Sequence, residues 1–149
     1  MKIKKLILCI LIPNIFGLIG YLLGGVNDFN NIIKPSFTPP GYIFPIVWSI
    51  LFTLMGISLY LISENKVTKS SYLIFIVNLI VNSLWTMFFF NFKWYLFSFI
   101  WILFLIGIVI IMIINFYKYS KISAIIQIPY LIWLVFAGII TYNVYILNP

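Results

Sequence analysis

The chain has no histidine and no arginine, one cysteine, and two acidic residues, Asp28 and Glu64. Each shortage closes off a chemistry. Without histidine there is no Ser/His/Asp or Cys/His nucleophilic centre and no His-ligated metal. Neither carboxylate falls inside a long apolar run, so an intramembrane carboxylate proton relay is excluded as well. A lone Cys9 cannot form an internal disulfide. No glycine-rich phosphate loop is present, and a haem would have to take Met, Tyr or Cys9 as its axial ligand. The residues therefore predict no metal, no cofactor and no acid/base or nucleophilic centre.

What is abundant is hydrocarbon. Of 149 residues, 64% are hydrophobic and only 7% charged, with a mean hydropathy of +1.19; soluble domains carry about 25% charge. A bilayer core of ~30 Å takes about 20 apolar residues per helix. Five stretches qualify, roughly Leu6–Leu23, Phe44–Ile62, Tyr72–Phe90, Leu96–Ile114 and Ile122–Ile146, and none contains a charged residue. The expectation is an all-α integral membrane protein, residues 1–149 forming one domain of five spans. The basic start Met1-Lys2-Ile3-Lys4-Lys5 is similar to a signal peptide, but no A-x-A-like cleavage site follows, so the first run reads as a retained span.

The lysines give an orientation. Lys2, Lys4, Lys5, Lys66, Lys69, Lys118 and Lys121 fall at one end of a five-span chain, and only Lys34 and Lys93 at the other. The positive-inside rule then puts the N-terminus in the cytoplasm of a bacterial cell membrane and the C-terminus outside. The net charge of +7 is thus a topology signal. Scattered over short connections, it is no stripe for nucleic acid.

Short connections predict antiparallel neighbours and a five-helix bundle. The exception is the first connection, about 24–43, which contains Lys34-Pro35-Ser36-Phe37-Thr38-Pro39-Pro40-Gly41 ahead of Phe44-Pro45-Ile46-Val47-Trp48. Three prolines in six residues fix φ and remove donors, so this loop is stiff and neither helix interior nor central strand. It reads as a lid over a ligand pocket.

Four spans carry stripes at helical spacing. Asn78, Asn82, Trp85 and Phe89 share one face of the third; Trp133, Ala137 and Thr141 share one of the fifth. Trp48, Phe52, Met55 and Leu59 line up on the second, and Pro13, Gly17, Gly20 and Gly24 on the first. Carboxamides in a span turn inward, either as interhelical hydrogen bonds or as ligand contacts. Tryptophans near span ends serve as interfacial belt or as pocket wall. The glycines allow close packing, within one chain or between two. Pro129-Tyr130 marks a kink or a pocket wall. An aromatic cavity with a few amides and hydroxyls suits a flat, mostly apolar ligand.

These residues resemble a known family. Pro39-Pro40-Gly41-Tyr42-Ile43-Phe44-Pro45-Ile46-Val47-Trp48, Asn82-Ser83-Leu84-Trp85-Thr86-Met87-Phe88-Phe89-Phe90, and Pro129-Tyr130, Trp133, Phe136-Ala137 with a late Leu147-Asn148 are similar to the motifs of the TspO/translocator protein family, also called tryptophan-rich sensory proteins or peripheral benzodiazepine receptors. The resemblance implies a five-helix bundle, often a homodimer, that binds porphyrins; some members are reported to degrade protoporphyrin in light. By motif position it implies a cavity of Trp48, Asn82, Trp85, Trp133 and Ala137, with Phe52, Phe89 and Thr141 on the same stripes. The implied lid holds Pro35, Phe37, Pro39 and Pro40; Lys34, near the mouth, either pairs with a propionate or stays a solvated loop lysine. Trp48 and Trp133 are the candidate photoactive indoles. Two positions depart from the family pattern: its W-Y pair ahead of the lid falls on Asp28-Phe29, and its fifth-helix Asn is Thr141. The tail after Tyr142 lacks a basic residue, which disfavours a sterol ligand.

Overall fold

A computed structural model describes residues 2–25 and 29–149, and the regular structure of those residues is helical throughout. Helix α1 (Lys2–Leu23) is followed by a 3-10 turn at Phe29–Asn31, then α2 (Ile43–Ser63), α3 (Lys69–Thr86), α4 (Tyr95–Tyr117), α5 (Lys121–Ile125) and α6 (Ile128–Leu147). The third span continues from α3 through a π-turn at Met87–Asn91, and α5 with α6 makes the fifth. Five helical segments, Lys2–Leu23, Ile43–Ser63, Lys69–Asn91, Tyr95–Tyr117 and Lys121–Leu147, are long and apolar enough to cross a membrane. Ile-rich runs are modest helix formers in water. In hydrocarbon each backbone group must be satisfied within its own segment, and the helix achieves this.

The N-terminal end of the bundle is solid. Met55 and Ile62 of α2, Phe75 and Leu79 of α3, and Val109, Met112 and Phe116 of α4 are fully buried there, with the Phe75 and Phe116 rings stacked at 6.3 Å. Ser58 and Ser123, both fully buried, exchange hydroxyl-to-carbonyl hydrogen bonds of 2.9 Å each way and so tie α2 to α5. Lys5 donates to Ser63 O at 3.1 Å and pairs with Glu64 at 2.6 Å, fastening α1 to the end of α2. That ammonium holds the Glu64 carboxyl below the usual carboxylate range.

One contact brings α1 and α2 unusually close. A Cβ on Gly56 would lie 2.3 Å from Ile10 Cα and 2.7 Å from Cys9 O. Pro13, four residues on, has no N–H to give that Cys9 carbonyl, so the glycine's Cα hydrogen meets an acceptor the helix has left free. Further along, a Cβ on Gly17 would strike the Phe52 ring at 2.3 Å, and one on Gly20 would come within 3.3 Å of Ser83 Cα. The small-residue stripe of α1 is therefore used inside the chain.

The fifth span is broken at Ile126-Gln127, two residues before the predicted kink. Ser120 caps α5 by accepting from Ser123 N at 3.2 Å, and Pro129 sits in the first turn of α6, where a missing N–H costs nothing. Gln127 at the break is fully buried, and neither end of its amide has a partner among the described residues.

Gly56→Ala should lower the thermal midpoint of the detergent-solubilised protein by an amount equivalent to a few kcal/mol, because backbone on both sides must move apart. Gly107 of α4 has nothing within 4 Å of its Cβ position, so Gly107→Ala should be neutral or stabilising by up to about 1 kcal/mol. Equal midpoints for the two variants would remove the close-contact argument.

Candidate functional site

Toward the other end the bundle is hollow. A cavity of about 790 Å³ lies between α1, α2, α3, α4 and α6, inside the range of roughly 300–1,000 Å³ for small-molecule sites. Trp48 and Phe52 of α2, Asn82 and Trp85 of α3, Phe89 of the π-turn, and Ala137 and Thr141 of α6 all line it. Seven of the eight residues singled out from sequence are thus brought together. No charged residue is on the described wall.

The aromatic wall is built in pairs. Trp48 stacks on Phe52 at 5.4 Å and meets Tyr130 edge-on at 6.1 Å; Trp85 stacks on Phe89 at 4.9 Å. The π-turn explains how Phe89 and Phe90 both reach the cavity. An α-helix turns 100° per residue, and one wider turn, closed by Phe92 N donating to Met87 O at 3.0 Å, re-aims that face. Three successive phenylalanines gave no periodic signal for this, so Phe90 was missed.

Three buried polar side chains are joined in a chain. Asn82 Nδ2 donates to Tyr130 Oη at 2.8 Å, and Tyr130 Oη donates to Asn78 Oδ1 at 2.7 Å. All three are buried. Asn78 is therefore interhelical adhesion, while Asn82 both holds the tyrosine and faces the cavity. Thr141 Oγ1 donates to Ala137 O at 2.7 Å, which leaves that wall nearly apolar. Trp85 Nε1 is buried with no acceptor among the described residues.

Trp133 is not on the wall. It packs behind Phe44 at 5.7 Å and beside Phe136 at 5.5 Å. The α6 face turned to the cavity is set by Leu134, Ala137 and Thr141, three and four residues apart, and Trp133 lies one residue off that line.

The first connection crosses the hollow end, and its cavity contacts come from Phe29, Asn30, Gly41 and Tyr42. Pro35, Phe37, Pro39 and Pro40 shape it from outside. Thr38 N donates to Pro35 O at 3.0 Å, Ile43 N to Pro40 O at 3.0 Å, and Phe37 lies 6.5 Å from Phe136. The Lys34 ammonium is drawn back onto its own loop, donating to Phe29 O and sitting 4.3 Å from the Phe29 ring centre. Phe29 also packs on Phe44 at 5.2 Å; Asp28 lies outside the described residues. The loop is fastened to α6. Buried Ile32 joins Phe89, Ile140 and Val144, and Asn148 clasps the backbone of Ile33, donating to its O at 2.9 Å and accepting from its N at 3.3 Å.

Five membrane-spanning segments around an aromatic, uncharged cavity define an integral membrane protein built on a small-molecule-sized hollow. Residues 9–147 match the TspO/MBR family, and the chain belongs to that family. It is similar to Tryptophan-rich protein TspO of Archaeoglobus fulgidus (33% identical; 99% of each chain). It is also similar to Protein CrtK of Rhodobacter capsulatus (31% identical; 81% of this chain, 78% of that one) and to Tryptophan-rich protein TspO of Chlorobaculum tepidum (31% identical; 81% and 79%).

Tyr130→Phe should destabilise the protein by about 1–3 kcal/mol, since it strands two buried amide groups. Following it with Asn78→Leu should recover part of the loss in thermal melts; a Tyr130→Phe variant as stable as wild type would show that the network is idle.

Proposed function

We propose that the protein is a receptor-like binder of a flat, largely apolar tetrapyrrole of the protoporphyrin type, held in the cavity by stacking. The observation that carries this is the wall itself: indoles and phenyl rings in stacked pairs, no charge among its described residues, and Asn82 already bonded to Tyr130. Such a wall rewards broad π surface and little else. Trp48, Phe52, Trp85 and Phe89 stack on the ligand; Asn82, Ala137 and Thr141 set its depth. The unpaired Trp85 N–H is a donor for a ligand oxygen. The Pro-rich connection, with Lys34, Pro35, Phe37, Pro39 and Pro40, is the lid. Membership of the TspO/MBR family supports the same ligand class.

A second reading is light-dependent, tryptophan-mediated breakdown of the bound pigment with dioxygen as the oxidant, favoured by the indoles of Trp48 and Trp85 on the wall and Trp133 one ring behind it. Titration of the purified protein with protoporphyrin, following the Soret shift and tryptophan quenching, tests both. Trp48→Phe and Trp85→Phe should each weaken binding about 2–10-fold, the size of one aromatic contact, and Trp133→Phe should weaken it less. Unchanged affinity in both wall variants would sink the assignment. Pigment loss on illumination that needs the indoles would promote the oxidative reading.

The orientation supported by the lysines puts the cavity end outside. With Cys9 replaced by alanine, Ser36→Cys should react with a membrane-impermeant maleimide on intact cells and Asn65→Cys should not. The reverse pattern would invert the topology.

A further inference from the structure

We infer that the cavity is filled sideways from the hydrocarbon of the bilayer, through a gap between α1 and α2, while the Pro-rich loop stays fastened. The inference builds on the ligand-binding reading above and concerns the route to the same site.

Three sets of contacts fix the gap. At the N-terminal end α1 lies against α2, through Gly56 at Ile10 and Lys5 at Glu64. At the cavity end α1 leans on α3 instead: Ser83 Oγ donates to Phe16 O at 2.8 Å, Thr86 Oγ1 to Gly20 O at 2.5 Å, and Asn91 Nδ2 to Leu23 O at 3.5 Å. The two helices therefore part beyond Gly17 and Phe52. The cavity wall records the parting. Its α6 members are buried, whereas Leu18 and Tyr21 of α1 are 58% and 67% exposed, and Tyr42, Pro45 and Ser49 at the start of α2 are exposed too.

Depth decides what lies outside the gap. Leu18 is five residues below the end of α1 and Ser49 six below the start of α2, about 7–9 Å into the span at 1.5 Å per residue. That lower lip meets acyl chains, and Tyr21 and Tyr42 flank the upper part where amphipathic rings meet headgroups. The loop, by contrast, is tied on the α6 side by Ile32 and Asn148. A sparingly soluble ligand already dissolved in the outer leaflet reaches the cavity without moving the loop.

The route is testable with and without ligand. In a variant whose only tryptophan is Trp48 (Trp85, Trp94, Trp101 and Trp133 to Phe), phosphatidylcholine with brominated acyl chains should quench Trp48 fluorescence. Leu18→Phe/Ser49→Phe, which plugs the gap, should abolish most of that quenching. In the otherwise unaltered protein, the same plug should slow both association and dissociation of vesicle-delivered protoporphyrin about tenfold. Untying the loop with Asn148→Ala should not accelerate association. Plug-insensitive quenching and rates, or acceleration by Asn148→Ala alone, would overturn the lateral route. Quenching abolished by the plug in a protein that binds no protoporphyrin would uphold the route and refute the ligand.

Discussion

Two membrane helices approach only as closely as the atoms between them allow, and in this chain Gly56 decides where α1 and α2 meet. Lipid tails are as apolar as leucine, so helix association rests on packing and on hydrogen bonds rather than on exclusion of water. Backbone-to-backbone contact at one end, where Pro13 leaves the Cys9 carbonyl without a donor, gives α1 a fixed pivot. From there it leaves α2 and hands its carbonyls to the hydroxyls of α3. The space it vacates is the cavity. A larger residue at position 56 acts on the bundle far from the rings it is there to arrange.

The chemistry of the cavity follows from which of its polar groups are already spent. Asn78, Tyr130 and Asn82 form a closed relay, and the Thr141 hydroxyl returns to its own helix. Such pairs rigidify a low-dielectric site and leave few hydrogen bonds for an occupant. Discrimination then falls to shape and ring area. With no histidine and no carboxylate in the spans, any reactivity at this site must come from the rings or from the ligand.

Much of the architecture was legible because the bilayer imposes a simple rule on composition. Charge-free runs predicted the five spans, and the helices overrun them only by a few residues at their ends, where the backbone still profits from its own hydrogen bonds. Periodicity found Trp48, Phe52, Asn82, Trp85, Ala137 and Thr141, because each projects from regular helix, and it still reached Phe89 inside the π-turn. It failed where the helix is irregular. The π-turn brings in Phe90 against the 3.6 period, and the break at Gln127 starts α6 in a phase that puts Leu134, not Trp133, on the wall. In sequence Pro129-Tyr130 marks a kink or a pocket wall, because nothing local reveals that the Tyr130 hydroxyl answers two asparagines about 50 residues earlier. Glycine spacing showed that α1 packs closely; only the contacts show against what.

The clasp between Asn148 and Ile33 joins residues 115 positions apart. The loop at the hollow end is made before the fifth span that fastens it. Until α6 has crossed the bilayer, Ile32 has no Val144 to bury against and Ile33 has no amide to hold it. Without the fifth span, the proline-stiffened loop lacks both the Ile32 packing and the Asn148 clasp that hold it.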